Sequence, residues 1–102
     1  MHHSMRHQQF ELELRDIPEA LQGGFRSFFL RGERPSGLVA AMVSGSLFDT
    51  YTRADAETRE LIPAILRFVI NTMPWGAYGS PEHVAMWCAK GGLLGRPVRK
   101  VA

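Results

Sequence analysis

Residues 52–74, TRADAETRELIPAILRFVINTMP, carry the longest helical pattern in the chain. Charged residues come first. Apolar residues then recur three and four positions apart, which places them on one face of an α-helix. Pro63 lies inside the pattern and is expected to kink or divide the helix, and Pro74 closes it. The stretch predicts the third of four helices, with an inner face formed by Leu61, Ile62, Ile65, Phe68, Val69 and Met73.

The first helix is predicted to begin at Asp16-Ile17-Pro18-Glu19, where a capping aspartate, a first-turn proline and an acid stand together. Gly32 is suited to its C-cap. Its apolar face contains Leu21, Phe25, Phe28 and Phe29.

The second helix is predicted to run from Gly37, after a capping Ser36, to about Tyr51. Residues 35–48 carry no charge, so we expect this helix to be buried on several sides. In so small a protein, one of those sides is expected to be a subunit interface. The predicted apolar stripe comprises Leu38, Val39, Met42, Val43, Leu47 and Tyr51.

The fourth helix is predicted to begin at Ser80-Pro81-Glu82 and to end at Gly91-Gly92. Serine caps a helix, proline fits its first position, and an acid there complements the helix dipole. Val84, Trp87 and Cys88 recur at helical spacing after this start.

The two ends of the chain differ from this helical part. Residues 1–9 are polar and predict a disordered lead, whereas Phe10 to Arg15 alternate apolar and charged residues, which is the period of a short extended segment. Residues 96–102 predict a basic tail. The sequence therefore predicts an all-α protein, with a single small domain of about four helices over residues 10–95.

Composition narrows the class of protein. The 102 residues suffice for one domain, and the net charge of +2 is too small to indicate nucleic-acid binding by itself. Cys88 is the single cysteine, which excludes an internal disulfide and favours a reducing, cytoplasmic location. The polar N-terminus lacks the apolar core of a signal peptide, and no apolar run is long enough to predict a membrane span.

Seven short motifs follow one another along the chain: Ile17-Pro18-Glu19, Arg31-Gly32, Pro35-Ser36-Gly37, Ala54-Asp55, Pro74, Gly79-Ser80-Pro81-Glu82 and Trp87. Their order resembles that of a group of short, mostly uncharacterised proteins encoded by bacteriophages and prophages. The resemblance covers roughly residues 17–87 and implies a phage or prophage origin and a helical fold, without an established activity. One departure is Ser44-Gly45-Ser46, because the group often has an Asn-Asp pair in its second helix.

The sequence does not predict an enzyme. His83 and Cys88 are five positions apart, about 140° around a helix, so they do not face each other. Neither a close carboxylate pair nor a glycine-rich phosphate loop is present, and no cofactor or metal is expected. Three N-terminal histidines are interpreted as solvated rather than as metal ligands: His2, His3 and His7.

Residues 74–87, PWGAYGSPEHVAMW, contain the candidate ligand-binding residues. The N–H groups at the start of the fourth helix suit a phosphate, and two aromatic rings just before it suit a nucleotide base. The alternative is that this stretch is an ordinary helix start whose aromatic residues cover the core. The candidates are Trp75, Tyr78, Gly79, Ser80 and His83.

These observations favour a phage- or prophage-encoded accessory protein that acts on the host by binding, most simply as a homodimer. Its partner is expected to be a host defence or regulatory protein, or a small nucleotide signal. The alternative is a small nucleic-acid-binding regulator, for which the candidate basic contacts are Arg31, Arg34 and Arg59.

Overall fold

The computed structural model describes residues 2–95, which form six α-helices and one short 3-10 helix. No strand occurs within this part of the chain, so the predicted all-α class is confirmed, with more helices than the four expected. The helices are α1 (His2–Leu14), α2 (Glu19–Arg31), α3 (Gly37–Val43), α4 (Leu47–Arg53), α5 (Ala56–Thr72) and α6 (Pro81–Ala89), and the 3-10 helix spans Trp75–Ala77.

Helix α1 replaces the disordered lead and the extended segment that the sequence predicts. The alternating pattern also places Phe10 and Leu14 four residues apart, and both are almost fully buried. The Phe10 ring stacks on Phe29 at 4.2 Å between centroids and lies 5.3 Å from Phe68. Contacts with α2 and α5 therefore favour the helix over the local strand pattern.

The predicted second helix is two helices, separated at residues 44–46. Gly45 has a φ of 83°, which ends α3, and the Ser46 Oγ accepts a hydrogen bond from the Asp49 N–H at the start of α4. The turn also packs tightly, since a Cβ on Gly45 would lie 2.5 Å from the Gly79 carbonyl oxygen. The α3–α4 turn therefore lies directly against the segment that leads into α6.

Helix α5 runs unbroken from Ala56 to Thr72, so of the two predicted effects of Pro63, a kink or a division, the division does not occur. The Asp55 carboxylate caps the helix by accepting a hydrogen bond from the Thr58 N–H at 2.8 Å. Most of the predicted inner face is buried, whereas Leu61 is 41% exposed. The buried members are Ile62, Ile65, Phe68, Val69 and Met73.

Trp87 joins α6 to the core. Its ring stacks on Phe29 at 6.1 Å, and its indole N–H donates to the carbonyl oxygens of Phe28 and Phe29. The turn that follows α6 is also fixed to α2, because the Leu93 N–H donates to the Phe29 carbonyl at 2.8 Å. These bonds set the position of α6 against the C-terminal end of α2.

The predicted ends of two helices are confirmed. Gly32 is the left-handed C-cap of α2, and α6 stops at Ala89, just before Gly91-Gly92.

The predicted basic tail, residues 96–102, lies outside the described residues. Within the described ones, none of the helices has the length and apolar character needed to cross a membrane.

Candidate binding site

The start of α6 has the predicted cap. The Ser80 Oγ accepts a hydrogen bond from the His83 N–H at 3.1 Å, and Pro81 occupies the first helical position. The preceding Gly79 N–H donates to the Val43 carbonyl at 2.7 Å, which ties this segment to the end of α3. The helix start is therefore fixed by α3 as well as by its own cap.

The same bonds leave few donors for a phosphate at this helix start. Pro81 has no N–H group, the His83 N–H is bonded to Ser80, and the Gly79 N–H is bonded to Val43. The Glu82 carboxylate also lies in the first turn, where it competes with an anion for the positive end of the helix. The start of α6 is therefore a weaker binding site for an anion than the sequence predicts.

The two aromatic candidates lie in different surroundings. Tyr78 is partly buried and packs against the core, whereas Trp75 is 80% exposed. The Trp75 ring lies 5.9 Å from the His83 ring, tilted by 52°, and the His83 Nδ1 lies 2.9 Å from the Tyr78 carbonyl oxygen. The interpretation that both aromatic residues cover the core thus holds for Tyr78 alone.

A groove opens between the Trp75–Ala77 3-10 helix and α6. It encloses about 390 Å³. Met86, on its α6 side, is 66% exposed. We call this recess the Met86 groove. The residues that line it are Pro74, Gly76, Met86, Trp87 and Lys90.

Lys90 places a positive charge in this groove. Its Nζ lies 4.8 Å from the centre of the Trp87 ring, within the range of a cation–π interaction. Trp87 is itself held by its hydrogen bonds to Phe28 and Phe29. The ammonium group therefore rests on a ring that the core keeps in place.

The three candidate basic contacts have separate neighbours. Arg31 pairs with Glu33 at 3.3 Å, and the Arg59 Nε donates to the Tyr51 carbonyl at 2.8 Å. Arg34 alone approaches the start of α6, where it lines a cavity of about 220 Å³ together with Pro35, Ala40, Ser44, Pro81 and Val84. Two of the three arginines thus hold intramolecular partners.

Cys88 is partly buried against the core, and burial raises the pKa of its thiol. A raised pKa keeps the thiol protonated, which makes it a poor nucleophile. Among the side chains that the structure describes, no three histidines, cysteines or acids cluster closely enough to hold a metal ion. The side chains of His2 and His3 lie outside the described part.

Sequence reasoning missed an apolar surface on α4. Leu47, Phe48 and Tyr51 are 59%, 79% and 44% exposed, although Leu47 and Tyr51 were predicted on a buried stripe. We call these three side chains the α4 face. The serine-glycine-serine turn at residues 44–46 was the available signal, because it starts a new helix with a new orientation.

The Met86 groove was also missed, since its lining comes from two segments that are 10 residues or more apart in sequence. Exposed Trp75 beside it was among the candidates, but Met86 and Lys90 were not. Comparison with protein-family models, curated proteins and solved structures finds no match to this chain.

Proposed function

We propose that this protein is a non-enzymatic accessory protein, encoded by a phage or prophage, that acts by binding a host protein at Trp75 and the neighbouring Met86 groove. The origin rests on the motif resemblance described above. The binding role rests on the surface around Trp75.

The exposure of Trp75 is the observation that carries the proposal. An indole ring left 80% in water forgoes the burial that usually stabilises a protein core. Tryptophan is also enriched among the residues that dominate the energy of protein interfaces. Met86 is also exposed, and it lines a groove of about 390 Å³. A partner protein could therefore bury the Trp75 ring and insert a side chain of its own into the groove.

A nucleotide signal is the weaker ligand for the same corner. Such a ligand needs phosphate donors, and most N–H groups at residues 79–83 are bonded within the protein or absent. A nucleic-acid regulator is weaker still, because two of its three candidate basic contacts are engaged within the protein: Arg31 pairs with Glu33, and Arg59 donates to a backbone carbonyl. A protein partner needs neither set of contacts.

The expected homodimer is a separate part of the proposal. The α4 face supports it, because soluble monomers rarely expose large contiguous apolar patches. Cytoplasmic action in a bacterial host follows from the same proposal, since a free cysteine suits a reducing compartment.

Photo-crosslinking in bacterial cells tests the binding role. With p-benzoylphenylalanine at position 75, we expect one dominant crosslinked host protein. The same probe at Gln8, an exposed position on α1, serves as the matched control and is expected to give none.

Trp75→Ala should weaken recovery of that host protein at least tenfold without lowering the melting temperature, because the ring is largely solvent-exposed. Equal crosslinking from positions 8 and 75 would contradict the proposal.

A further inference from the structure

The walls of the Met86 groove are apolar. Pro74, Met86 and Trp87 provide most of its lining, and exposed Trp75 lies between two lining residues in sequence. Such walls bind aliphatic or aromatic side chains, since burying them removes apolar surface from water on both sides. A sugar-phosphate backbone finds no comparable set of partners there.

The charge of the groove is positive. Lys90 is the only charged side chain in its lining among residues 2–95. The surrounding sequence is positively charged as well, because residues 83–102 contain no acid and four basic residues: Lys90, Arg96, Arg99 and Lys100. A carboxylate on the partner would pair with a cation that already rests on the fixed Trp87 ring.

Gly76 leaves one wall of the groove open. Apart from the backbone around Gly76 itself, no atom lies within 4 Å of the place where its Cβ would stand, and its φ is not positive. Neither packing nor backbone conformation therefore requires glycine at this position. Without a side chain there, a partner's backbone can approach the groove closely.

We infer that the Met86 groove binds an acidic, apolar peptide segment of the partner protein, in which a large apolar side chain enters the groove and an adjacent carboxylate pairs with Lys90. This inference rests on the proposed function and names the chemistry of the partner. Charge complementarity to Lys90, apolar walls and the open Gly76 position each contribute to it.

Selection from ribosome-displayed random twelve-residue peptides tests the inference. On the wild-type protein we expect enrichment of peptides that carry Asp or Glu within a few residues of an aromatic or large aliphatic side chain. Synthetic copies should bind Lys90→Glu at least tenfold more weakly. Replacing their acids by lysine should reverse this preference, which a fold defect would not do.

Two further variants complete the test. Gly76→Glu places a bulky acid in open space and should abolish binding while leaving the melting temperature unchanged. Enrichment of peptides without acids, no enrichment over a Gly76→Glu control, or binding of mononucleotides in place of peptides would each overturn the inference. If peptides fail while Trp75 still crosslinks to a host protein, the proposed function stands and only the inferred partner chemistry is lost.

Discussion

At the scale of single residues, Gly45 is where a small change has a large effect. Its φ of 83° is unfavourable for any residue with a Cβ, and that Cβ would meet the Gly79 carbonyl oxygen at 2.5 Å. We expect Gly45→Ala to lower the free energy of unfolding by about 2 kcal/mol or more. Urea denaturation followed by circular dichroism measures this.

Gly76→Ala is the matched control for Gly45→Ala. Its Cβ would enter open space and its φ is not positive, so the free energy of unfolding should change by less than about 1 kcal/mol. Equal destabilisation by the two substitutions would show that the close approach to Gly79 and the positive φ do not make residue 45 special.

At the scale of helices, the pair between Glu11 and Arg26 joins α1 to α2. The guanidinium donates two hydrogen bonds of 3.0 Å to the carboxylate, and they hold the pKa of Glu11 below its usual value of 4.5. A lowered folded-state pKa contributes stability at pH above 4.5, which is lost as the pH falls through the folded-state value. Since both side chains are partly exposed, the contribution is below about 1 kcal/mol.

We therefore expect Glu11→Gln to reduce the free energy of unfolding at pH 7 and to have a smaller effect at pH 3. Denaturant titrations of the wild type and the variant at both values check this. In an Arg26→Gln background, Glu11→Gln should have little effect at either pH, because the main partner is gone. A Glu11→Gln effect that is independent of pH would contradict the assignment.

At the scale of the whole molecule, apolar surface is exposed in separate places. The α4 face and the Met86 groove come from different elements, and the proposed function gives them different partners: a second copy of the chain and a host protein. Phe48, 79% exposed, is the largest side chain of the α4 face. We expect Phe48→Asp to convert a wild-type dimer into a monomer, measured by sedimentation velocity at micromolar concentration.

Leu12→Asp is the control for this prediction, because Leu12 is 57% exposed on α1, outside the α4 face. It should leave the dimer intact, as should Trp75→Ala. A wild-type protein that remains monomeric at about 100 μM would rule out the dimer, whereas dissociation by Leu12→Asp alone would place the interface on α1.

Local chemistry by itself determined the helical class and several helix ends. Ser80 caps α6, Asp55 caps α5 and Gly32 ends α2, because each such effect involves atoms only a few residues apart. Trp75 was likewise recognisable as a candidate, since it precedes a well-capped helix. Its exposure was not recognisable, because burial depends on neighbours elsewhere in the chain.

Tertiary structure decided the rest. Phe10 is helical and buried because Phe29 and Phe68 stack against it, although its own neighbours alternate like a strand. The α4 face is exposed because the turn at Gly45 separates it from buried α3. The position of the Met86 groove depends on α6, which Trp87 joins to α2 by hydrogen bonds to Phe28 and Phe29. These bonds connect residues that are 58 and 59 positions apart, so no local sequence pattern predicts them.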